Sequence, residues 1–153
     1  MHNLLPLMVF IGFGTYLSAI DLRVHRLPNS VVGWFTVVQG SVLILLSAGN
    51  LKQLSEVIIV ASATTGSYML LFVLSRGSLG MGDVKFAFPI RLTVGWYSAD
   101  YWLAAIFASF FLAGLVAFIG LVTKRMTRKS RIAFGPYMLL GTFLVCCLGI
   151  LPR

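Results

Sequence analysis

Acidic side chains are scarce in this chain. Four of its 153 residues are Asp or Glu, against twelve Lys or Arg, and 10% of the residues are charged while 59% are hydrophobic. With a mean hydropathy of +0.96, the sequence has too little polar surface for a soluble domain of this size. Repeated apolar runs of about 20 residues instead indicate helices that span a membrane.

The excess of basic residues is distributed in a particular way. The formal net charge is +8, but the Lys and Arg residues fall mainly in short loops between apolar runs. Such a distribution is typical of topology signals and of contact with anionic lipids. Because no aromatic residues are interleaved with a basic patch, we predict no nucleic-acid partner.

Cysteine and histidine are also rare. Cys146 and Cys147 are adjacent, and neighbours on a helix do not face each other, so no disulfide is expected between them. There is no CxxC pair, and His2 and His25 are far apart in the sequence. We therefore predict no metal site and no cofactor, and we expect both cysteines to be small apolar packing residues.

Six apolar runs follow one another along the chain, over residues 3–20, 30–48, 57–74, 84–97, 101–122 and 132–151. Pro28 should end the first helix, and Asn29 or Ser30 can cap the next helix. The fourth run is short, since its 14 residues rise only about 21 Å against the roughly 30 Å of a membrane core. Pro89 should kink it. We predict one membrane-embedded domain, residues 1–153, an all-α bundle of about six transmembrane helices.

The basic residues predict the orientation of this bundle. Six crossings place nine Lys or Arg on one side and three on the other, the three being Lys52, Arg91 and Arg153. Positively charged loops stay in the cytoplasm, so both termini are expected outside the cell membrane. The basic loop at residues 124–131 is expected to bind anionic lipids on the cytoplasmic side.

Asp83 lies in a glycine-rich stretch, residues 78–85, between apolar segments. A carboxylate at the edge of a membrane is costly and is by default a candidate functional group. Gly80 and Gly82 leave the backbone free to turn tightly or to let another chain approach. The alternative is that Asp83 only caps the next helix by accepting free N–H groups of its first turn.

A second aspartate is predicted on the same side. Asp21 follows the first apolar run, whereas Glu56 and Asp100 fall on the opposite side. Two facing carboxylates can share one proton, because like charges a few Å apart cannot both ionise. The ionised member then activates a water molecule while the protonated member donates to a peptide carbonyl oxygen. This is the minimum for peptide hydrolysis without a metal or a nucleophilic side chain.

The residues around these aspartates match a known pair of motifs. Residues 21–29, Asp-Leu-Arg-Val-His-Arg-Leu-Pro-Asn, followed by Gly-Met-Gly-Asp-Val-Lys at 80–85, strongly resemble the type IV prepilin peptidases, the GxGD-type membrane aspartyl proteases. Phe134-Gly135-Pro136 is similar to a glycine-proline element in the last helices of that family. The resemblance covers essentially the whole chain.

This resemblance implies that Asp21 and Asp83 are the catalytic pair. It also implies a substrate, the short basic leader of a prepilin or pseudopilin, cut on the cytoplasmic side just before its hydrophobic helix. The other motif residues are expected to bind substrate or to hold the site together: Gly80, Gly82, Lys85, Pro28 and Asn29. For Lys85 an alternative is that its ammonium reaches the lipid headgroups.

The chain departs from the family in two respects. Larger members carry an N-terminal segment with two CxxC pairs and also methylate the new pilin N-terminus. Without that segment we expect no methylation, and the chain is more similar to the short peptidases of tight-adherence or Flp-type pili and of archaeal preflagellins. Residues 88–91 are unlike the small apolar stretch expected there, and Arg91 needs a buried partner unless it reaches outward.

Two rival functions remain at this point. In an ion- or proton-coupled carrier, Asp21, Asp83 and Arg91 would form a relay, although the chain is small and has no internal repeat of the transporter kind. A non-catalytic membrane subunit of a secretion or pilus machine is the other. Arg23 and Arg26 are expected to be orientation anchors, with contact to the substrate as the alternative, and His25 is expected to be a solvated loop residue.

Overall fold

Six α-helices and one short 3-10 turn make up the described part of the chain. The computed structural model describes residues 4–76, 79–125 and 133–150. The helices are α1 (Leu5–Val24), α2 (Asn29–Ser47), α3 (Leu51–Leu74), α4 (Met81–Ser98), α5 (Trp102–Val122) and α6 (Gly135–Ile150), with the 3-10 turn at Ala99–Tyr101. The described residues contain no strand, so the prediction of an all-helical protein is confirmed.

Four of these segments are long and apolar enough to cross a membrane, namely α1, α2, α3 and the segment Ala99–Val122. The apolar part of α6, Gly135–Cys147, is shorter, and α4 is not among the four. A helical, multi-pass membrane protein is therefore supported. The count of six crossings and the side of the termini stay predictions. Most of the predicted lipid-binding loop at 124–131 lies outside the described residues, as do Ser78 and Arg153.

Two helices extend beyond the apolar runs of the sequence. Helix α1 continues past residue 20 to Val24 and therefore includes Asp21. Helix α3 begins at Leu51 because the Asn50 side chain accepts the Gln53 N–H at 3.2 Å. Lys52 and Glu56 are consequently helical and not in a loop.

The start of α2 also corrects a prediction. Pro28 occupies the N-cap position with an extended backbone, φ −65° and ψ 123°, and Asn29 is the first helical residue. No side chain caps this helix. Proline is suited to this place because its φ is fixed near the value that the following helix needs and its missing N–H has no partner to lose.

Helix α4 lies at the centre of the bundle and packs against α1, α2, α3, α5 and α6. Between residues 83 and 95 only Lys85 is exposed. Because its sides face other helices and not lipid, α4 can carry Pro89 and polar residues that an outer helix would not tolerate. The helix continues through Pro89, although that residue cannot donate to the carbonyl of Lys85.

Glycines set two of the closest helix contacts. A Cβ atom added at Gly95 would lie 2.7 Å from Val57 Cα, so α4 and α3 touch through their backbones. A Cβ at Gly141 would lie 2.6 Å from the backbone nitrogen of Ser109, which brings α6 against α5. Small residues allow this close approach in helix bundles.

Large apolar side chains cover the outside of the bundle. Trp34, Leu45, Phe107 and Phe111 are each more than half exposed. Exposed apolar area on this scale is expected where a helix surface faces lipid.

Candidate active site

A pocket of about 300 Å³ opens at one end of the bundle. The last turn of α1, the short connection to α2 and the first turn of α4 surround it. Its lining consists of Asp21, His25, Arg26, Leu27, Asn29, Gly80, Met81, Gly82, Asp83 and Lys85. The two sequence motifs, more than fifty residues apart in the chain, therefore form one cavity.

Asp21 lies in the last turn of α1 and is 5% exposed. Its Oδ2 accepts the backbone N–H of Gly135 at 2.9 Å. Gly135 is the first residue of α6, and the N-terminus of a helix favours a negative charge through its free N–H groups and its dipole. Helix α6 therefore fixes one oxygen of Asp21.

Gly135 leaves no room for a side chain at this contact. A Cβ atom there would lie 3.0 Å from Asp21 Oδ2 and 3.4 Å from Asp21 Cβ. Sequence reasoning noted Gly135 only as part of a glycine-proline element and gave it no role. Its position at a helix start, on the same predicted side as Asp21, is the signal that points to the contact.

Asp83 lies in the first turn of α4 and is 8% exposed. It precedes the apolar stretch that begins at Val84 and lies outside the four long apolar segments. Burial, which is the largest effect, and the nearby Asp21 carboxylate raise the pKa of Asp83 from 3.8 to about 7, while the Gly80 backbone N–H acts in the opposite direction. Asp83 is thus poised to hold a proton near neutral pH.

Asp83 is not the N-cap residue of α4. The N-cap residue of α4 is Gly80, and no side-chain cap bond is made by it. Asp83 is the third residue of the helix, and its carboxylate lies close to the Gly80 N–H. A carboxylate in the first turn favours the helix, so Asp83 supports α4 locally and also faces the pocket.

Gly80 and Gly82 each allow a different close contact in the pocket wall. A Cβ at Gly80 would lie 3.0 Å from Asp83 Oδ2. A Cβ at Gly82 would lie 3.3 Å from the Cβ of Leu27, which belongs to the connection between α1 and α2. Both glycines therefore keep space for the close packing of the pocket wall.

Lys85 and Asn29 join the two motifs directly. The Lys85 ammonium donates to Asn29 Oδ1 at 3.0 Å, at the rim of the pocket. Pro28 is not among the residues that line the pocket, and it acts at the start of α2. The structure thus brings together six of the seven predicted site residues, while their roles in substrate binding or catalysis stay predictions.

His25 is closer to the site than its prediction as a solvated loop residue suggests. It is exposed, but it also lines the pocket. Its φ of 53° ends α1 in the left-handed conformation, and its backbone N–H donates to the Asp21 carbonyl at 2.9 Å. The ring Nδ1 lies 3.1 Å from the same carbonyl oxygen. Arg26, predicted to be an orientation anchor, lines the pocket as well.

The titratable groups of the pocket are carboxylate, imidazole, guanidinium and ammonium. In residues 4–76, 79–125 and 133–150 no three His, Cys, Asp or Glu side chains come together in a group that could hold a metal ion. The carboxyl groups of Asp21 and Asp83 can exchange protons and stabilise charge at the pocket.

Fold and pocket together define a multi-pass helical membrane protein with a buried acid pair at one end of its bundle. The model of the type IV leader peptidase family matches residues 8–121, a range that includes both aspartates. The chain belongs to the type IV leader peptidase family, as its motifs predicted, and it is a leader-peptidase-like protease. No curated protein and no solved structure matches the chain.

Proposed function

We propose that this protein is an aspartic-type endopeptidase that removes the short basic leader of a type IV prepilin or pseudopilin. The observation that carries the proposal is the shared pocket of Asp21 and Asp83, which are 62 positions apart in the sequence. Both carboxylates are buried, yet both line a pocket of about 300 Å³ that opens at one end of the bundle. Family membership supports peptide hydrolysis as the reaction.

The acid pair works with one proton between its two carboxylates. The ionised carboxylate takes a proton from water, and the water oxygen attacks the scissile carbonyl carbon while the protonated carboxyl donates to the carbonyl oxygen. Collapse of the tetrahedral intermediate breaks the C–N bond, and a proton passes from the pair to the leaving amine. The raised pKa of Asp83 makes a singly protonated pair available near neutral pH.

The proposed cut is cytoplasmic. Four long apolar segments, the α4 stretch from Val84 and the shorter α6 would make six crossings in the cell membrane. Arg23, Arg26 and Lys85 lie at the pocket end of the bundle, whereas Lys52 lies in the first turn of α3 at the opposite end. Arg91 is buried within α4 and therefore does not count as a loop residue. The predicted numbers of Lys and Arg residues on the two sides of the membrane become nine and two. Positive residues favour the cytoplasm.

This orientation can be tested by labelling. In a variant with Cys146 and Cys147 replaced by Ala, a cysteine placed at Lys52 should react with a membrane-impermeant reagent in intact cells. A cysteine at Arg23 should react only after the cells are opened. Labelling of the Arg23 position from outside would remove the cytoplasmic cut from the proposal.

The cleavage itself is tested by co-expression with a candidate prepilin. The precursor should lose its leader, seen as a size shift on a gel, and mass spectrometry should find a free, unmethylated N-terminus. An uncut precursor, with the membrane protein present at normal level, would count against this substrate class. A methylated product, in cells without another methylase, would contradict the expected lack of methylation.

The carrier alternative is less favoured by the positions of its charged residues. Arg91 lies eight residues after Asp83 on α4, which is about 12 Å along the helix axis. No relay of ion pairs joins them in the described residues. Reconstitution in liposomes with no solute-dependent proton movement would separate a peptidase from a carrier.

A further inference from the structure

Arg91 is fully buried in the centre of the bundle, with 0% of its side chain exposed. Its Nη2 donates to the Ala105 carbonyl at 3.0 Å and lies 3.3 Å from Ser109 Oγ. Its Nε and Nη1 have no hydrogen-bond partner. Because a guanidinium does not lose its proton in proteins, this site carries a full positive charge.

None of the four acidic side chains of the protein neutralises that charge. Asp21 and Asp83 border the pocket, and Asp83 is about 12 Å from Arg91 along α4. Glu56 and Asp100 are exposed at the surface. All four lie within the described residues, so the guanidinium is a buried cation without a carboxylate partner, an arrangement that is strongly unfavourable unless something compensates for it.

The groups around Arg91 are neutral carbonyl and hydroxyl groups, which accept from some of its N–H donors but carry no negative charge. The Tyr68 hydroxyl of α3 lies beside the guanidinium, is fully buried, and makes no hydrogen bond of ordinary geometry. The Ser109 hydroxyl already donates to the Ala105 carbonyl at 2.7 Å. What this part of the core lacks is therefore an acceptor with negative charge.

Helix α6 adds a further donor at the same level. The Cys146 side chain of α6 lies near the Arg91 guanidinium, and Thr142 lies one turn earlier on the same face of the helix. The Thr142 hydroxyl is buried and has no partner. The contact of Gly141 with Ser109 places this part of α6 directly against the α5 residue that Arg91 contacts.

We propose that Arg91 is the centre of an anion site inside the bundle, which binds a small monovalent inorganic anion such as chloride. One negative charge balances the guanidinium, and a halide can accept hydrogen bonds from an unpaired guanidinium N–H and from a neighbouring hydroxyl group. A fully buried environment excludes an organic anion, and water would satisfy donors without removing the charge. The site ties α3, α4, α5 and α6 together and is independent of the peptidase chemistry.

The test is thermal unfolding of the purified full-length protein in detergent, with sodium chloride or bromide replacing sodium gluconate at constant ionic strength. Binding to the folded state alone should raise the unfolding midpoint with halide concentration. Arg91→Gln should remove that dependence, whereas Arg23→Gln, which changes an exposed arginine, should retain it. Equal midpoints for the unchanged protein in gluconate and in chloride would overturn the proposal and leave water as the occupant.

Two further measurements cover the case in which Arg91→Gln does not fold. Tyr68→Phe removes one donor and keeps the ring. The halide concentration that gives half of the maximal rise in the unfolding midpoint should therefore increase several-fold. Crystals of the unchanged protein grown in bromide should show an anomalous peak within hydrogen-bond distance of the Arg91 guanidinium. Bromide found only at other positions, or none at all, would refute the site.

Discussion

The acid-pair pocket and the interior around Arg91 are two buried charged regions on the same helix, and they differ in how the charge is tolerated. Asp21 and Asp83 repel each other, but the pocket reaches water and one carboxyl can take a proton. Arg91 cannot release its proton, and no carboxylate compensates for it among the described residues. A proton on one carboxyl relieves the repulsion in the pocket, and the anion proposed above balances the charge of Arg91.

The comparison also separates function from stability. A group that changes its protonation state near neutral pH is useful for moving protons in a reaction. A permanent, enclosed charge has no proton to exchange, so it does not act as an acid or a base. We therefore expect changes in the pocket to affect cleavage first, and changes around Arg91 to affect folding first.

The largest effect should come from the acid pair. Asp21→Asn and Asp83→Asn should each lower cleavage of a prepilin by about 10³-fold or more, since the charge and the base are lost while the shape is kept. The double variant should be little worse, because the pair acts as one unit. Cleavage is measured with purified variants of equal membrane content.

Asp100→Asn is the matched control, since Asp100 is exposed and distant from the pocket, and it should leave cleavage unchanged. If Asp83 served only the start of α4, Asp83→Asn would be mild, because a carboxylate in the first turn of a helix contributes only about 0.3–1 kcal/mol. Substantial cleavage by either pocket variant would remove the catalytic assignment.

The pocket was the part of the site that the sequence predicted best. Asp21 and Asp83 could be placed at one end of the bundle because apolar run lengths and loop charges determine which residues share a side. The same reasoning places Gly135 on the side of Asp21, but it does not predict the contact between them, because that contact depends on how α6 packs against α1. The burial of Arg91 could not be predicted either, because sequence periodicity does not indicate whether a polar residue in a short apolar run faces lipid, water or protein.

The second prediction concerns pH. Cleavage should fall about tenfold per pH unit above about pH 7, as the shared proton is lost from the pair, and should fall again at low pH when both carboxyls are protonated. A rate that is flat between pH 6 and pH 9 in a pH series with one prepilin would contradict a shared proton.

The same shift has a consequence for stability. A pKa raised from 3.8 to about 7 on folding means that the folded state holds the proton more tightly than the unfolded state, so stability decreases as the pH rises through that window. Asp83→Asn removes this decrease. Its unfolding midpoint should therefore exceed that of the unchanged protein above pH 7, with a smaller difference at pH 4.

The third prediction concerns the support of Asp21. Gly135→Ala places a methyl group 3.0 Å from Asp21 Oδ2, so the carboxylate must move and cleavage should fall by roughly tenfold to a hundredfold, as for a small misplacement of a reacting group. Gly114→Ala is the matched control, because no atom lies within 4 Å of a Cβ there. Equal activity of the two variants would show that the Gly135 contact has no part in positioning Asp21.

The smallest effect is expected at the rim of the pocket, where Lys85 and Asn29 share one exposed hydrogen bond. Such a bond contributes about 0.5–1.5 kcal/mol, so Lys85→Met and Asn29→Ala should each reduce cleavage by only a few-fold, and Lys52→Met, an exposed lysine outside the pocket, by nothing. If the bond only joins the two motifs, the double variant should be no worse than either single one, because each change breaks the same interaction. If Lys85 instead binds the substrate, Lys85→Met should raise KM well beyond the effect of Asn29→Ala. Steady-state kinetics of the three variants separates a structural link from a substrate contact.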